Sequence, residues 1–301
     1  MTSIHYAALS TEQIHPGTRS LDRLSPAQIV RLMNREDRRV LAAIDQARSR
    51  IAWAIGLIAC AFRQGGRLFF VGAGTSGRLG VIEAAECPPT FNTEPGQVQA
   101  IMAGGKQAVF RSKEGAEDSE KEAVSACRRA GVGRNDVVVG IAASGVTPFV
   151  RSALSYARKQ KARTVLVTCN PHPPRIAEGT ITLRTGPEIL TGSTRLKAGT
   201  ACKMVLNMLT TASMVQVGKV YGNRMVDLQP KSRKLVERGV RLIRDLGHVR
   251  EAKARRLLNE ARGQVKIAIV MAGRHCSYAR AADLLKQAKG FLKDVLIQHG
   301  S

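Results

Sequence analysis

The sequence lacks closely spaced pairs of cysteines. Six cysteines, at positions 60, 87, 127, 169, 202 and 276, are scattered along 301 residues without a Cys-x-x-Cys spacing. This pattern argues against a disulfide-stapled scaffold and against a zinc site. It favours a reducing compartment, and we therefore expect a cytoplasmic protein.

Long apolar runs are also missing. The longest, Ile51 to Phe62, is too short to span a bilayer, and Arg50 and Arg63 flank it. Residues 1–20 are polar and lack the apolar stretch of a signal peptide. We interpret the run at 51–62 as a buried helix and expect no membrane partner.

Acidic and aromatic residues are few compared with basic ones. The net charge is +24, from 47 basic and 23 acidic residues, and the 12 aromatics do not interleave with the basic runs. Residues 231–301 hold 17 basic and 6 acidic residues, a net of +11, whereas residues 71–130 hold 7 and 8, a net of −1. Charge without a stacking platform fixes no nucleic-acid specificity, so we expect a solvated basic surface and no nucleic-acid partner.

The N-terminal part predicts two helices. Ser25-Pro26-Ala27-Gln28 offers an N-cap serine, a proline at the first helical position and a glutamine at the third. A second, longer helical pattern runs from about Glu36 to Phe62 and ends before Gly65-Gly66. We place an N-terminal helical segment at residues 1–50.

Apolar strands then alternate with helices. The predicted strands cover 67–71, 98–102, 136–142, 164–168 and 180–183, and the predicted helices cover 76–85, 118–130, 148–159 and 197–217. Strands that are apolar throughout and separated by helices indicate a parallel sheet covered on both faces. The predicted fold class is α/β, with a doubly wound, five-stranded parallel sheet at residues 51–228.

After Pro230 the composition shifts to arginine-rich amphipathic helices with turns near Gly247 and Gly273. The apolar stretch Val265 to Val270 resembles a strand, but we interpret it as a buried helix. Residues 229–301 are therefore predicted to form a small C-terminal helical domain.

A glycine-rich loop follows the first predicted strand and opens a helix. Gly72-x-Gly74-x-x-Gly77 matches the dinucleotide-binding pattern, but that pattern also needs an acidic residue near the end of the second strand. Residues 103–106 there contain none. The alternative ligand is a phosphate monoester, which the hydroxyls of Thr75 and Ser76 and the helix N-terminal amides suit.

A second loop resembles the first. Residues 141–148 again lead from a strand end to a helix start, and Ser144 and Thr147 can both donate hydroxyl hydrogens beside Gly145. Either serine or threonine alone could be an ordinary helix cap. Two such loops after parallel strands indicate convergence at the carboxyl edge of the sheet, where open α/β folds bind ligands.

These loops resemble the sugar isomerase (SIS) domain family of phosphosugar-binding proteins, and within it the N-acetylmuramic acid 6-phosphate etherase family. The resemblance covers nearly the whole chain. Its most specific motifs are Glu-Cys-Pro-Pro at 86–89, Glu-Gly-Ala-Glu-Asp-Ser at 114–119, Gly-Ser-Thr-Arg-Leu-Lys-Ala-Gly-Thr at 192–200 and Gly-Asn-Arg-Met-Val-Asp at 222–227. The chain departs from the family at Val146, where arginine is frequent, and at Cys202, where glutamine is usual.

The resemblance implies an SIS-type fold with a UBA-like C-terminal domain, a homodimer and an ether-cleaving lyase of peptidoglycan sugar recycling that needs no metal or other cofactor. By motif match, Glu86 is the proton donor and Glu117 the base that takes the proton from C2 of the sugar phosphate. Thr75, Ser76, Gly77, Ser144, Gly145 and Thr147 are the expected phosphosugar-binding residues. We interpret Glu83 as a solvated helix residue and Glu114 as a helix-start or supporting acid.

The alternative function is a phosphosugar-sensing regulator without catalysis. Glucokinase regulatory protein shares this domain type, but it has a tandem length that this chain lacks, and both etherase acids are present here. A transcription regulator of the SIS type is disfavoured because the predicted helices at 25–62 are too long for a helix-turn-helix.

Overall fold

The structure, a computed structural model, describes residues 9–230 and 232–296, so the first eight residues of the polar segment 1–20 lie outside it. The described residues form two compact units. The first holds those within Met1–Ala85 and Gly96–Thr210, and the second holds those within Glu86–Pro95 and Thr211–Ser301. The domain boundaries predicted at residues 50 and 228 remain predictions. Over the described ranges, no helix is long and apolar enough to cross a membrane.

The first unit begins with short 3-10 turns at Pro16–Thr18 and Leu21–Arg23, followed by one helix where the sequence predicts two. Helix α1 runs unbroken over Pro26–Arg63. Its start is a capping box, in which Ser25 Oγ accepts from Gln28 N and Gln28 Oε1 accepts from Ser25 N at 2.8 Å. The prediction of two helices is wrong because residues 34–37, which separate the two patterns, contain no glycine or proline that could break the helix.

A five-stranded parallel sheet forms the centre of the first unit, with the strand order β2-β1-β3-β4-β5. The strands are β1 Leu68–Gly72, β2 Val98–Met102, β3 Val137–Ile141, β4 Arg163–Thr168 and β5 Gly179–Thr182. The helices that follow α1 are α2 Gly74–Phe91, α3 Gln107–Phe110, α4 Glu120–Arg129, α5 Pro148–Lys159 and α6 Lys197–Gln216. The predicted α/β sheet flanked by helices is confirmed.

Helices cover both faces of this sheet. Successive side chains of a strand point to opposite faces, and both Phe69 and Phe70 of β1 are buried. Phe69 belongs to an apolar cluster with residues of α4 and α5, including Phe149. Phe70 faces the other side, where a Cβ built on Gly80 of α2 would lie 2.8 Å from Phe70 Cβ. The central strands β1 and β3 are apolar and buried at every position because neither face of the sheet meets water there.

Two helix boundaries differ from the predicted ones. Helix α2 does not end near residue 85 but continues through Pro88 and Pro89 to Phe91. The carbonyl of Pro88 still accepts from Asn92 N at 2.9 Å, so the last turn closes although the two prolines donate nothing. The predicted helix at 118–130 is instead a 3-10 turn, Ala116–Asp118, followed by α4. Ser119 separates them by capping α4 through Glu122 N.

The second unit contains a bundle of short helices. These are α7 Arg233–Gly247, α8 Glu251–Glu260, α9 Val265–Arg274, α10 Tyr278–Gln287 and α11 Leu292–Leu296, preceded by a small antiparallel pair, β6 Val220–Tyr221 and β7 Arg224–Met225. Residues 265–272 of α9 are all buried, which confirms the predicted buried helix. An unusual member is Lys266, whose Nζ donates to Gly218 O at 2.7 Å. Burial lowers the pKa of Lys266, and this effect outweighs the nearby negative charge of Asp227, which raises that pKa.

A buried ionic cluster ties α1 to the start of α6 in the first unit. Glu36 Oε2 lies 2.8 Å from Lys197 Nζ, 3.0 Å from His15 Nε2 and 3.2 Å from Arg39 Nε. Lys197 Nζ also donates to Pro187 O at 2.8 Å. Burial by itself raises the pKa of Glu36, but the hydrogen bond and charge of Lys197, aided by Arg39 and His15, outweigh it and hold that pKa below its usual value.

We expect Lys197→Met to lower the free energy of unfolding by about 3 kcal/mol, because it leaves a buried carboxylate with less compensation. The matched control is Lys203→Met on the exposed side of α6, which should change stability by less than about 0.5 kcal/mol.

Because the pKa of Glu36 is lowered in the folded state, its contribution to stability is present above its unfolded pKa and is lost as the pH falls through its folded pKa. Thermal unfolding between pH 6 and pH 3 should therefore show a shallower acid decline for Glu36→Gln than for the wild type. Equal declines would contradict the assigned role of Glu36.

Candidate functional site

The two predicted ligand loops leave the same edge of the sheet. β1 and β3 are neighbours although β2 lies between them in sequence, so the chain reverses its winding direction there, and open α/β sheets bind ligands at such a point. Gly72 at the end of β1 is paired with Ile141 at the end of β3. Because paired strands lie about 5 Å apart, the loops that follow begin side by side at the carboxyl edge.

The first loop presents a helix N-terminus suited to an anion. Thr75 and Ser76 lie in the first turn of α2, where the backbone amides have no acceptor within the helix and no acidic side chain is present. Gly77 differs, because its N–H donates to Ala73 O at 3.2 Å. A Cβ on Gly77 would lie 2.7 Å from Gly72 O, so this glycine lets α2 approach β1 closely. Its predicted phosphosugar contact remains a prediction.

The second loop is held in place by hydrogen bonds to its backbone. Ser144 O accepts from Asn170 Nδ2 at 3.0 Å, and Ser144 Oγ accepts from Val146 N at 3.3 Å. Gly145 lies between them, and Thr147 begins α5 without capping it through its side chain. The hydroxyl of Thr147 is therefore not committed to the helix, whereas Val146 is buried and uncharged.

Glu117 and the first loop share a cavity of about 130 Å³ within the first unit. Its charged lining comes from Arg78 of α2 and from Lys113, Glu114 and Glu117, which precede or belong to the 3-10 turn Ala116–Asp118. Gly74 of the first loop lines the same space, whereas the Ser144 loop does not. The side chains of Glu114 and Glu117 are exposed to solvent. The structure thus places the predicted base in one cavity with Gly74, the first residue of α2, whereas Thr75, Ser76 and Gly77 do not line it.

Arg78 holds the segment that carries Glu117, a role the sequence interpretation missed. Its Nε donates to Val109 O and its Nη2 to Ala108 O, both at 2.8 Å. These carbonyls belong to α3, the short helix between β2 and the glutamate-bearing turn. The position of Arg78 directly after Gly77 in the glycine-rich motif was the available signal, but an arginine next to a phosphate loop points first to the ligand.

Helix α2 carries two glutamates in different environments. Glu86 is exposed and belongs to the second compact unit, whereas Glu83 is 7% exposed and belongs to the first. Glu83 Oε2 accepts from Asn207 Nδ2 at 2.6 Å, and Glu83 Oε1 accepts from Thr210 Oγ1. The prediction that Glu83 is a solvated helix residue is wrong, because α6 supplies both partners from more than 120 positions away in the sequence.

We expect Glu83→Ala to lower the free energy of unfolding by about 2–3 kcal/mol, because it removes the buried acceptor shared by Asn207 and Thr210. Chemical denaturation measures this loss. Glu86→Ala on the same helix should change stability by less than about 0.5 kcal/mol, since that side chain is exposed. Equal losses of unfolding free energy in Glu83→Ala and Glu86→Ala would contradict the finding that Glu83 is buried and Glu86 exposed.

The cysteines are not paired with one another, and the metal-binding residue types do not cluster in the part of the chain that the structure describes. All six cysteines are free thiols. Residues 9–230 and 232–296 contain no group of three or more histidine, cysteine, aspartate or glutamate side chains that could hold a metal ion. Cys202 is buried. Its hydrogen bond to Cys169, together with burial, raises its pKa well above the usual value, so it is an inert neutral thiol.

Comparison with known proteins gives a consistent picture. Residues 50–158 match the family described as the glucokinase regulatory protein N-terminal SIS domain. N-acetylmuramic acid 6-phosphate etherase of Geobacillus thermodenitrificans is 50% identical over 96% of this chain and 98% of its own length. The protein of the same name from Gloeothece citriformis is 49% identical, over 96% and 95%. Among solved structures, phosphoheptose isomerase of Neisseria gonorrhoeae superposes with a TM-score of 0.45 at 13% identity, covering 62% of this chain and 97% of that one.

The matched region covers nearly the full length of both chains. At this level of similarity the family assignment does not depend on any one motif. The chain belongs to the N-acetylmuramic acid 6-phosphate etherase family.

Proposed function

We propose that this protein cleaves the D-lactyl ether of N-acetylmuramic acid 6-phosphate, giving N-acetylglucosamine 6-phosphate and D-lactate. The observation that carries the proposal is the shared cavity of the α2 N-terminus and Glu117 at the switch point of the sheet. Relatives that are about half identical over nearly the whole chain bear the name of this activity, which supports the same conclusion.

The reaction proceeds by elimination followed by addition of water. In the open-chain sugar the C1 aldehyde acidifies the C2 proton, and we assign its removal to Glu117. The electron pair forms the C2–C3 double bond while the C3–O bond breaks, and Glu86 protonates the departing lactate oxygen. Water, deprotonated by Glu86, then adds at C3 and C2 regains a proton, so the overall change consumes one water. Such a sequence needs one ionised and one protonated carboxyl group at its start.

The phosphate is proposed to bind at the start of α2. The free amides of its first turn and the hydroxyls of Thr75 and Ser76 suit an anion, and the helix dipole adds to the attraction. Ser144, Gly145 and Thr147 leave the adjacent strand end and are proposed to contact the sugar phosphate from the second loop. Gly77 supports the site by keeping α2 close to β1.

The test is incubation of the purified protein with N-acetylmuramic acid 6-phosphate, with D-lactate and N-acetylglucosamine 6-phosphate measured together. We expect the two products to appear in equal amounts. Unphosphorylated N-acetylmuramic acid is the matched control and should react far more slowly, since it lacks the anion for α2. If the protein bound the substrate but released no lactate, the result would favour the alternative function, a phosphosugar-sensing regulator without catalysis.

We further propose a cytoplasmic homodimer that serves peptidoglycan sugar recycling. Six free thiols suit a reducing compartment. The homodimer is what the resemblance to the SIS domain family implies. Light scattering of the purified protein gives its mass, and a monomer at micromolar concentration would contradict the dimer.

A further inference from the structure

The cavity that holds Glu117 contains two cations in different situations. Arg78 is engaged, because its Nε and Nη2 donate to the carbonyls of Val109 and Ala108. Lys113 lines the same cavity, and its ammonium group forms no ion pair with any residue in the described ranges, although Glu114 and Glu117 line the cavity as well. Lys113 is thus the cavity cation that is available to an anionic ligand.

The backbone around Lys113 is shaped to seat its side chain. Gly104, just after β2, has a φ of +81°, which favours glycine. A Cβ at Gly104 would lie 3.3 Å from Lys113 Cδ and 2.9 Å from Ala108 Cβ. The aliphatic stem of Lys113 therefore rests on this glycine, and the stem packs while the charged end stays free, as is usual for lysine.

The substrate of the proposed function carries two anions at different distances from the reacting carbon. Counting along the sugar, the lactyl carboxylate carbon lies four bonds from C2, through C3, the ether oxygen and the lactyl carbon. The 6-phosphorus lies six bonds from C2, at the other end of the open chain. Glu117, the proposed base at C2, and Lys113 line one small cavity, whereas Thr75 and Ser76, the proposed phosphate donors, do not line it, so the anion that Lys113 meets is the nearer one.

From this geometry we infer that Lys113 binds the carboxylate of the lactyl group and so selects for a substrate with that carboxylate. The inference rests on the proposed function. It also supplies the positive charge that the second loop does not, because Val146 there is buried and uncharged. An ammonium-to-carboxylate contact is a charge-assisted hydrogen bond, among the stronger contacts that a protein makes to a ligand.

The experiment compares two ligands that share the phosphate and differ in the lactyl group. For Lys113→Met we expect the KM for N-acetylmuramic acid 6-phosphate to rise about 10- to 100-fold with little change in kcat, because the contact is equally present before and during reaction. The inhibition constant of N-acetylglucosamine 6-phosphate, which has no carboxylate, should stay within about twofold of the wild type. Lys113→Arg should retain most of the affinity, and Lys106→Met, an exposed lysine outside the cavity, is the control.

Two results would overturn the inference. An unchanged KM in Lys113→Met would show that the lysine does not contact the substrate. An equal rise in KM and in the inhibition constant would show a phosphate contact or a general loss of the site. If the wild type itself releases no lactate, the proposed function fails separately, and calorimetric titration of both sugar phosphates into wild type and Lys113→Met still decides the ligand of Lys113.

Discussion

Glu117→Gln is expected to lower lactate release by about 10³-fold, within the range that a positioned general base contributes. The amide keeps the size of the side chain but cannot take the C2 proton. The same variant should therefore also stop the incorporation of solvent deuterium at C2 of unreacted substrate. Lactate assays and mass spectrometry of the recovered sugar phosphate measure the two effects.

Asp118→Asn is the matched control for Glu117→Gln. It is the next residue of the same 3-10 turn, is also exposed, and does not line the cavity. Its lactate release should stay within a few-fold of the wild type. Near-normal turnover in Glu117→Gln, or rapid deuterium exchange without turnover, would remove Glu117 from the role of base.

Glu86→Gln is expected to reduce lactate release by a similar factor, about 10³-fold, because the leaving oxygen then departs without a proton donor. Its isotope result should be the opposite one. Glu117 remains able to remove and return the C2 proton, so unreacted substrate recovered from deuterated water should carry deuterium at C2. The deuterium results of Glu117→Gln and Glu86→Gln together therefore distinguish the residue that removes the C2 proton from the residue that protonates the leaving oxygen.

For Glu86, the control variant is Glu94→Gln, another exposed glutamate from the same short stretch, 86–95, of the second unit. We expect it to turn over at the wild-type rate. Absence of deuterium exchange in Glu86→Gln would mean that the two glutamates act in one step or that their roles are reversed.

The sequence predicts the sheet of this protein well because its strands are short and mostly apolar. Each predicted strand lies within one or two residues of the observed strand, and the buried helix at Val265 is also correct. The helix boundaries are less predictable. Pro88 and Pro89 indicate a helix end, yet α2 includes them, because its last turn closes through the Pro88 carbonyl.

The site is predictable where one loop contains the whole signal. The proposed anion-binding start of α2 follows from Gly72 to Ser76 alone. The roles of Glu83, Arg78 and Lys113 do not, since each depends on a partner that is distant in sequence or on the space left by a glycine. A single sequence shows that these residues are charged but not which groups they face.

The buried carboxylate of Glu83 fixes the rotation of α2 about its own axis. A helix turns by about 100° per residue, so a slip of one position would carry Glu83 away from Asn207 and Thr210 and bring an apolar neighbour to them. The hydrogen bonds from Asn207 and Thr210 of α6 therefore oppose any rotation of α2 about its axis. Because residues 74–76 lie earlier on the same helix within the first unit, the orientation of the proposed phosphate-binding amides is set by a carboxylate that takes no part in the proposed chemistry.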